Sequence, residues 1–285
     1  MIVNMLKLGQ PGFPEILAQI PCPPQQIFWQ GQAFEGWLDK PKVAVVGSRK
    51  ITPYGRTITA KLVNELARAG VVIISGLAYG VDAAAHQAAL AAGGPTAAVL
   101  PAGLDSIYPA AHANLARQIA ESGTLITEYP ANTVSYPGNF IARNRIVSGL
   151  ADVLLITEAA LKSGSLHTAR FALEQGKTVM AVPGNITSPF SEGCNNLIKS
   201  GAVPVTSADD IFFALKINTS DNKPKSISGS ASEQLVFSFI REGLSAQEEI
   251  AAAAKLEGAQ LASVLTMLEL SGHIRPVGSG NWMVS

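Results

Sequence analysis

Between residues 42 and 216, short runs of apolar, mostly β-branched residues alternate with longer Ala- and Leu-rich amphipathic stretches. A parallel sheet with crossover helices demands this alternation, because the chain must return to the same sheet edge before each new parallel strand begins. The spacing predicts strands at 43–46, 71–74, 97–100, 124–127, 153–156, 178–182 and 203–205. It places helices at 57–69, 83–92, 111–121, 139–149, 166–175 and 194–200. Each strand is apolar throughout, as a strand covered on both faces should be. The expected fold is α/β, a doubly wound parallel sheet of about seven strands. Ligands of such sheets bind outside the carboxyl ends of the strands, so function is sought in the loops that follow them.

Composition removes competing classes. With 285 residues, 47% of them apolar, the chain can bury too much surface to be disordered. Cys22 and Cys194 show no framework spacing, so a reducing, cytoplasmic compartment is expected. The longest apolar run, 88–104, is broken by Gly93, Gly94, Pro95 and Thr96, and residues 1–10 hold too short an apolar stretch for a signal peptide; no membrane insertion is expected. The balance of 21 basic against 21 acidic residues speaks against a general nucleic-acid coating protein. That balance is a cancellation, however: residues 42–216 carry fourteen basic and eleven acidic side chains, and the deficits lie in the flanks.

The flanks differ from the middle. Residues 1–41 hold six of the 17 prolines and are expected to form an extended arm packed on the core. Residues 217–231 are polar without apolar periodicity and are expected to be a linker, which leaves 232–285 as a second small domain.

Five loops carry candidate chemistry. After the first strand of this region, Gly47, Ser48 and Arg49 allow close backbone approach to an anion and supply a fixed cation, although a tight turn explains the same residues. After the next, Gly76 and Gly80 permit a sharp turn; Asp82 is a plausible N-cap, and His86, one turn on, could accept or donate a bond to it. This pair reads better as a staple of the loop than as catalytic, and no third ligand of metal-site spacing accompanies it. The stretch before 139–149 opens a helix with Phe140, Arg143 and Arg145, which combines a ring for base stacking with cations for phosphate. Arg143 and Arg145, two residues apart, cannot share a face, so one is expected to meet ligand and the other a structural carboxylate. Lys162, Ser163, Gly164 and Ser165 form a second anion cradle at a helix start, and Asn195 and Lys199 are expected on the same rim. No nucleophile paired with a base emerges, so neither catalytic residues, nor a cofactor, nor a metal is expected.

The ordered set GSR, SGLAYGVDAAAH, FIARNRIVSGL, TEAALKSGSLHTA and VPGNITSPFSEGCNNLIKSGA resembles the DNA-processing protein A (DprA/Smf) family over residues 14–215. The resemblance implies an extended Rossmann-like domain that dimerises and binds single-stranded DNA. It also implies protection of incoming DNA in natural transformation and help in loading a RecA-type recombinase, with no chemical reaction. Carried over by motif, the DNA-binding positions are Ser48, Arg49, Phe140, Arg143, Arg145 and Lys162 with Ser163 to Ser165. Many members carry a helical domain ahead of the arm, and here the chain starts almost at the arm. Residues 232–285 follow the winged-helix pattern of three helices and a two-stranded wing with its turn at Gly278 to Gly280. Between Ser232 and Gly272 only Arg241 and Lys255 face six glutamates, so this domain is expected to serve protein contacts more than duplex DNA.

The competing reading is a nucleotide hydrolase of the cytokinin-activating or lysine-decarboxylase-like type, which resembles this family in fold. It requires an acid in the loop comparable to KSGSLHTARFAL, and residues 159–173 contain none.

Overall fold

The alternating pattern forms a nine-stranded sheet in the computed structural model, which describes residues 3–217, 229–241, 243–278 and 280–284. The chain divides into two units, Met1–Asn218 and Thr219–Ser285. In the first, strands β1 (Asn4–Lys7), β2 (Gln26–Gly31), β3 (Lys42–Val46), β4 (Val72–Ser75), β5 (Thr96–Val99), β6 (Thr124–Thr127), β7 (Val153–Ile156), β8 (Thr178–Ala181) and β9 (Val203–Pro204) lie in the order β1-β2-β6-β5-β4-β3-β7-β8-β9. Strands β3 to β9 are mutually parallel, whereas β1 and β2 are antiparallel additions beside β6. The strand order reverses at β3, which pairs with β4 on one side and β7 on the other, so the switch-point crevice opens where β3 and β7 end.

Alternate residues of each strand serve opposite faces. On β3, Val43 and Val45 pack with Leu62, Val63 and Leu66 of helix α2 (Pro53–Arg68), while Ala44 and Val46 pack with Ile146 and Leu150 of helix α5 (Pro137–Leu150). Helices α3 (Val81–Ala91) and α4 (Ala113–Ser122) cover Ala98 and Leu125 on the α2 side, and helix α6 (Ser165–Glu174) covers the α5 side. Helices α7 (Glu192–Lys199) and α8 (Ala208–Ala214) complete the unit, the latter opened by a reciprocal Ser207 and Asp210 capping box.

The proline-rich arm contributes more than packing. Its strand β2 pairs with β6 in register Phe28 to Thr127, and β1 pairs with β2. Its one-turn helix α1 (Glu15–Ala18) places Leu17 against Gly149 of α5. Trp37 is buried, and its indole Nε1 donates to Thr124 Oγ1 at 3.0 Å. The sheet exceeds the expected seven strands because proline-dense sequence conceals these two short ladders.

In the second unit, helices α9 (Ala231–Arg241), α10 (Gln247–Ala254) and α11 (Gly258–Leu270) enclose Val236, Ile240, Ile250, Leu261 and Leu265, and β10 (Ile274–Gly278) pairs antiparallel with β11 (Asn281–Val284). This is a winged helix. No helix among the described residues is long and apolar enough to cross a membrane.

Candidate nucleic-acid interface

Because every parallel strand runs the same way, the turns after β3, β4, β5 and β7 and the starts of α3, α5 and α6 converge on one edge. There a shallow cleft of about 70 Å³ is lined by Gly47, Arg49, Asp82, Phe140, Arg143 and Ser165, among others. Arg49 is exposed, and its guanidinium lies 5.0 Å above the centre of the Phe140 ring. A cation resting on a ring face is held in place while its outer side stays open to a phosphate.

The turn that carries Arg49 is fixed from several sides. Ser48 N donates to the Glu158 carbonyl at 2.7 Å, and Ser48 Oγ closes the turn with Lys50 N and O. The buried Ser48 hydroxyl is thereby spent inside the loop, which corrects its expected role as a free ligand. The Glu158 carboxylate, also buried, accepts from Thr52 N at 2.8 Å and from Thr52 Oγ1 at 2.5 Å, and Thr52 caps α2 by accepting from Gly55 N. This acid sits one residue ahead of the acid-free stretch 159–173, and sequence reading passed over it. It also borders a second cavity of about 620 Å³ with Thr52, Tyr54, Pro183 and Ser191.

Arg143 and Arg145 both turn to protein partners. Arg145 makes a two-pronged ion pair with Glu128 at 2.7 and 2.6 Å, the structural carboxylate expected for one of the two. Arg143, expected to meet ligand, is 3% exposed; its Nη1 donates to Gly76 O at 2.5 Å and to the Val99 carbonyl. The reason is local. The guanidinium fills the space a side chain at residue 76 would need, a Cβ there lying 2.5 Å from Nη2, and it ties the ends of β4 and β5 to α5. Burial lowers its pKa to about 10, while the Asp82 carboxylate opposes that shift.

Asp82 is not the N-cap of α3. Gly80 is, at φ 80°, and Asp82 lies in the first turn, where its carboxylate accepts from Gly76 N at 3.1 Å and Ala78 N at 3.3 Å. The expected bond between Asp82 and His86 is absent. Instead His86 Nδ1 lies 2.7 Å from Thr96 Oγ1, whose proton goes to Ile73 O, so Nδ1 carries the hydrogen and the buried Nε2 has no partner. Burial above all raises the Asp82 pKa, and burial lowers that of His86 to about 3.

At the start of α6, Gly164 is exposed and the Ser163 and Ser165 hydroxyls bond each other at 2.8 Å, with Lys162 exposed beside them. Asn195 instead clasps the Gly184 backbone, accepting from its N at 3.2 Å and donating to its O at 3.1 Å. Lys199 occupies the last turn of α7, four residues before β9, and therefore lies toward the opposite sheet edge, because α7 must carry the chain back to start a parallel strand. Lys199 is thereby corrected as a rim residue, whereas Asn195 lies at the rim, in the first turn of α7, with its amide engaged by the loop that follows β8. The helix expected to open at Asn139 starts at Pro137, whose fixed φ suits a first helical position. No cluster of three metal-ligating side chains occurs among the described residues.

Protein Smf of Escherichia coli is 45% identical over 204 residues, which is 71% of this chain and 54% of that protein, so the chain spans little more than half of that relative. DNA processing protein A (DprA) of Streptococcus pneumoniae superposes with a TM-score of 0.71 at 39% identity, covering 74% of this chain and 73% of that one. DNA processing protein A of Helicobacter pylori, in a structure concerned with its single-stranded DNA binding mode, gives 0.68 at 34% identity, covering 75% and 95%. The family model described as DNA recombination-mediator protein A matches residues 4–216 and the DprA winged helix domain matches 220–280, so the chain belongs to the DNA processing protein A family.

Proposed function

We propose that this chain binds single-stranded DNA along the carboxyl edge of its sheet, and that it does so as a homodimer that protects incoming DNA during natural transformation and helps a RecA-type recombinase to load. The proposal includes a cytoplasmic location and an organisation into an arm (1–41), a DNA-binding domain (42–216), a linker (217–231) and a winged helix (232–285). The observation that carries it is the exposed Arg49 guanidinium on the Phe140 ring, at the mouth of a cleft into which three helix N-termini open. Cations and helix N-termini neutralise a backbone, and the aromatic surface around them accepts bases without regard to sequence. The single-stranded DNA binding of the Helicobacter relative supports the same reading.

The test is binding of a fluorescent oligothymidylate across a salt series. Arg49→Ala and Lys162→Ala should each weaken binding and reduce the slope of log affinity against log salt by about 0.7, the value for one lost single-strand phosphate contact. Unaltered affinity and slope in both variants would remove the site.

A further inference from the structure

Among the exposed tyrosines, two lie in loops on the same edge as Arg49 and have a ring partner. Tyr79 follows β4 and Tyr108 follows β5, and they are 47% and 44% exposed. Both rings are held. Tyr79 meets His112 edge-on with centres 5.0 Å apart, and His112 is itself fixed by Nδ1 at 2.9 Å from Leu77 O. Tyr108 meets Phe140 edge-on at 5.1 Å. An edge-on contact covers at most one of the faces that the two rings present, so each pair keeps aromatic surface open. Phe140, by contrast, already carries the Arg49 guanidinium over one face. The rings are linked to Arg49 through their neighbours: Tyr108 through Phe140, and Tyr79 through Gly80, where a Cβ would fall 2.8 Å from the Arg49 carbonyl oxygen.

The geometry points to Tyr79 and Tyr108 as stacking platforms for two bases of one strand whose backbone passes Arg49. This inference rests on the single-strand reading above and deepens it, since it moves the base contacts from Phe140 to the two more exposed rings. Half-exposed aromatic faces interleaved with a cation match a ligand that offers a π-face and a negative charge at every repeat, as single-stranded nucleic acid does. Because every base has such a face, the platforms confer affinity without sequence preference.

The experiment compares the full chain with oligothymidylate and with an abasic deoxyribose-phosphate oligomer of the same length. Tyr79→Ala and Tyr108→Ala should each weaken oligothymidylate binding about fivefold or more, leaving abasic affinity and the salt slope unchanged. Tyr79→Phe and Tyr108→Phe should bind as the unaltered chain does, and the indole emission introduced by Tyr108→Trp should be quenched by oligothymidylate but not by the abasic oligomer. Equal losses on both oligomers, or no loss on either, overturn the stacking role while the Arg49 site stands. An unaltered chain that binds neither oligomer overturns the proposed function and this inference together.

Discussion

Gly76, Arg143 and Asp82 form one buried polar assembly at the cleft, with buried His86 one turn along α3 from Asp82, and the energetics are set by what surrounds each charge. Arg143 and Asp82 oppose each other's burial, and removing one partner leaves the other charge uncompensated. Arg143→Met is therefore expected to lower stability by about 3 kcal/mol, read as a shifted urea midpoint. Gly76→Ala, which drives a methyl group against a pinned guanidinium, should cost about 2 kcal/mol by the same measurement. His86 gives a pH signature. The unfolded chain takes up its proton near pH 6.5 and the native chain only near pH 3, so between these values the unfolded state binds more protons and native stability falls as pH falls. The contribution is on the order of 1 kcal/mol per pH unit. His86→Asn should show a shallower loss of stability below pH 6.5 than the unaltered chain in parallel urea titrations, and identical slopes would refute the assignment.

At the scale of elements, the central strands and helices were legible because the strands are short buried apolar runs and the segments between them are long and rich in Ala and Leu, some one-sided as α4 is and others, like α3, buried on nearly every face. The motif residues were less legible, because a motif names positions without saying which way a side chain turns. Arg143 and Arg49 are both cations near strand ends, yet one fills a void made by a glycine and the other lies on an exposed ring. Lys199 was expected on the binding rim from its place in the same motif as Asn195; the return path of α7 puts it toward the other edge. The winged helix carries a consequence of its own. The outward residues of α11, including Ala262, Ser263, Thr266, Met267 and Leu270, include no Lys or Arg, whereas a duplex-reading helix needs cations for phosphate. A chain ending at Asn218 is accordingly expected to keep the oligothymidylate affinity of the full chain, and the full chain should retard duplex DNA no more strongly than the shortened one in gel-shift assays at physiological salt.

For the whole molecule, zero net charge means that the proposed affinity for single-stranded DNA must come from placement. The helix N-termini, the Arg49 turn and the aromatic rings share one edge only because the parallel sheet aligns its strand ends. Sequence by itself determined the alternating α/β layers, the position of the switch-point loops, the three helices and wing of the tail, and a set of candidate site residues. These follow from local periodicity and turn chemistry, which act over a few residues. Only the tertiary structure decided that the arm supplies two strands, that Glu158 anchors the Arg49 turn, that Arg143 and Arg145 turn to protein partners, and that Tyr108 meets the ring on which Arg49 lies. Those outcomes depend on contacts between residues far apart in the chain, such as Glu158 with Thr52 and Arg143 with Gly76. Packing across the sheet edge fixes them, and no local pattern encodes that packing.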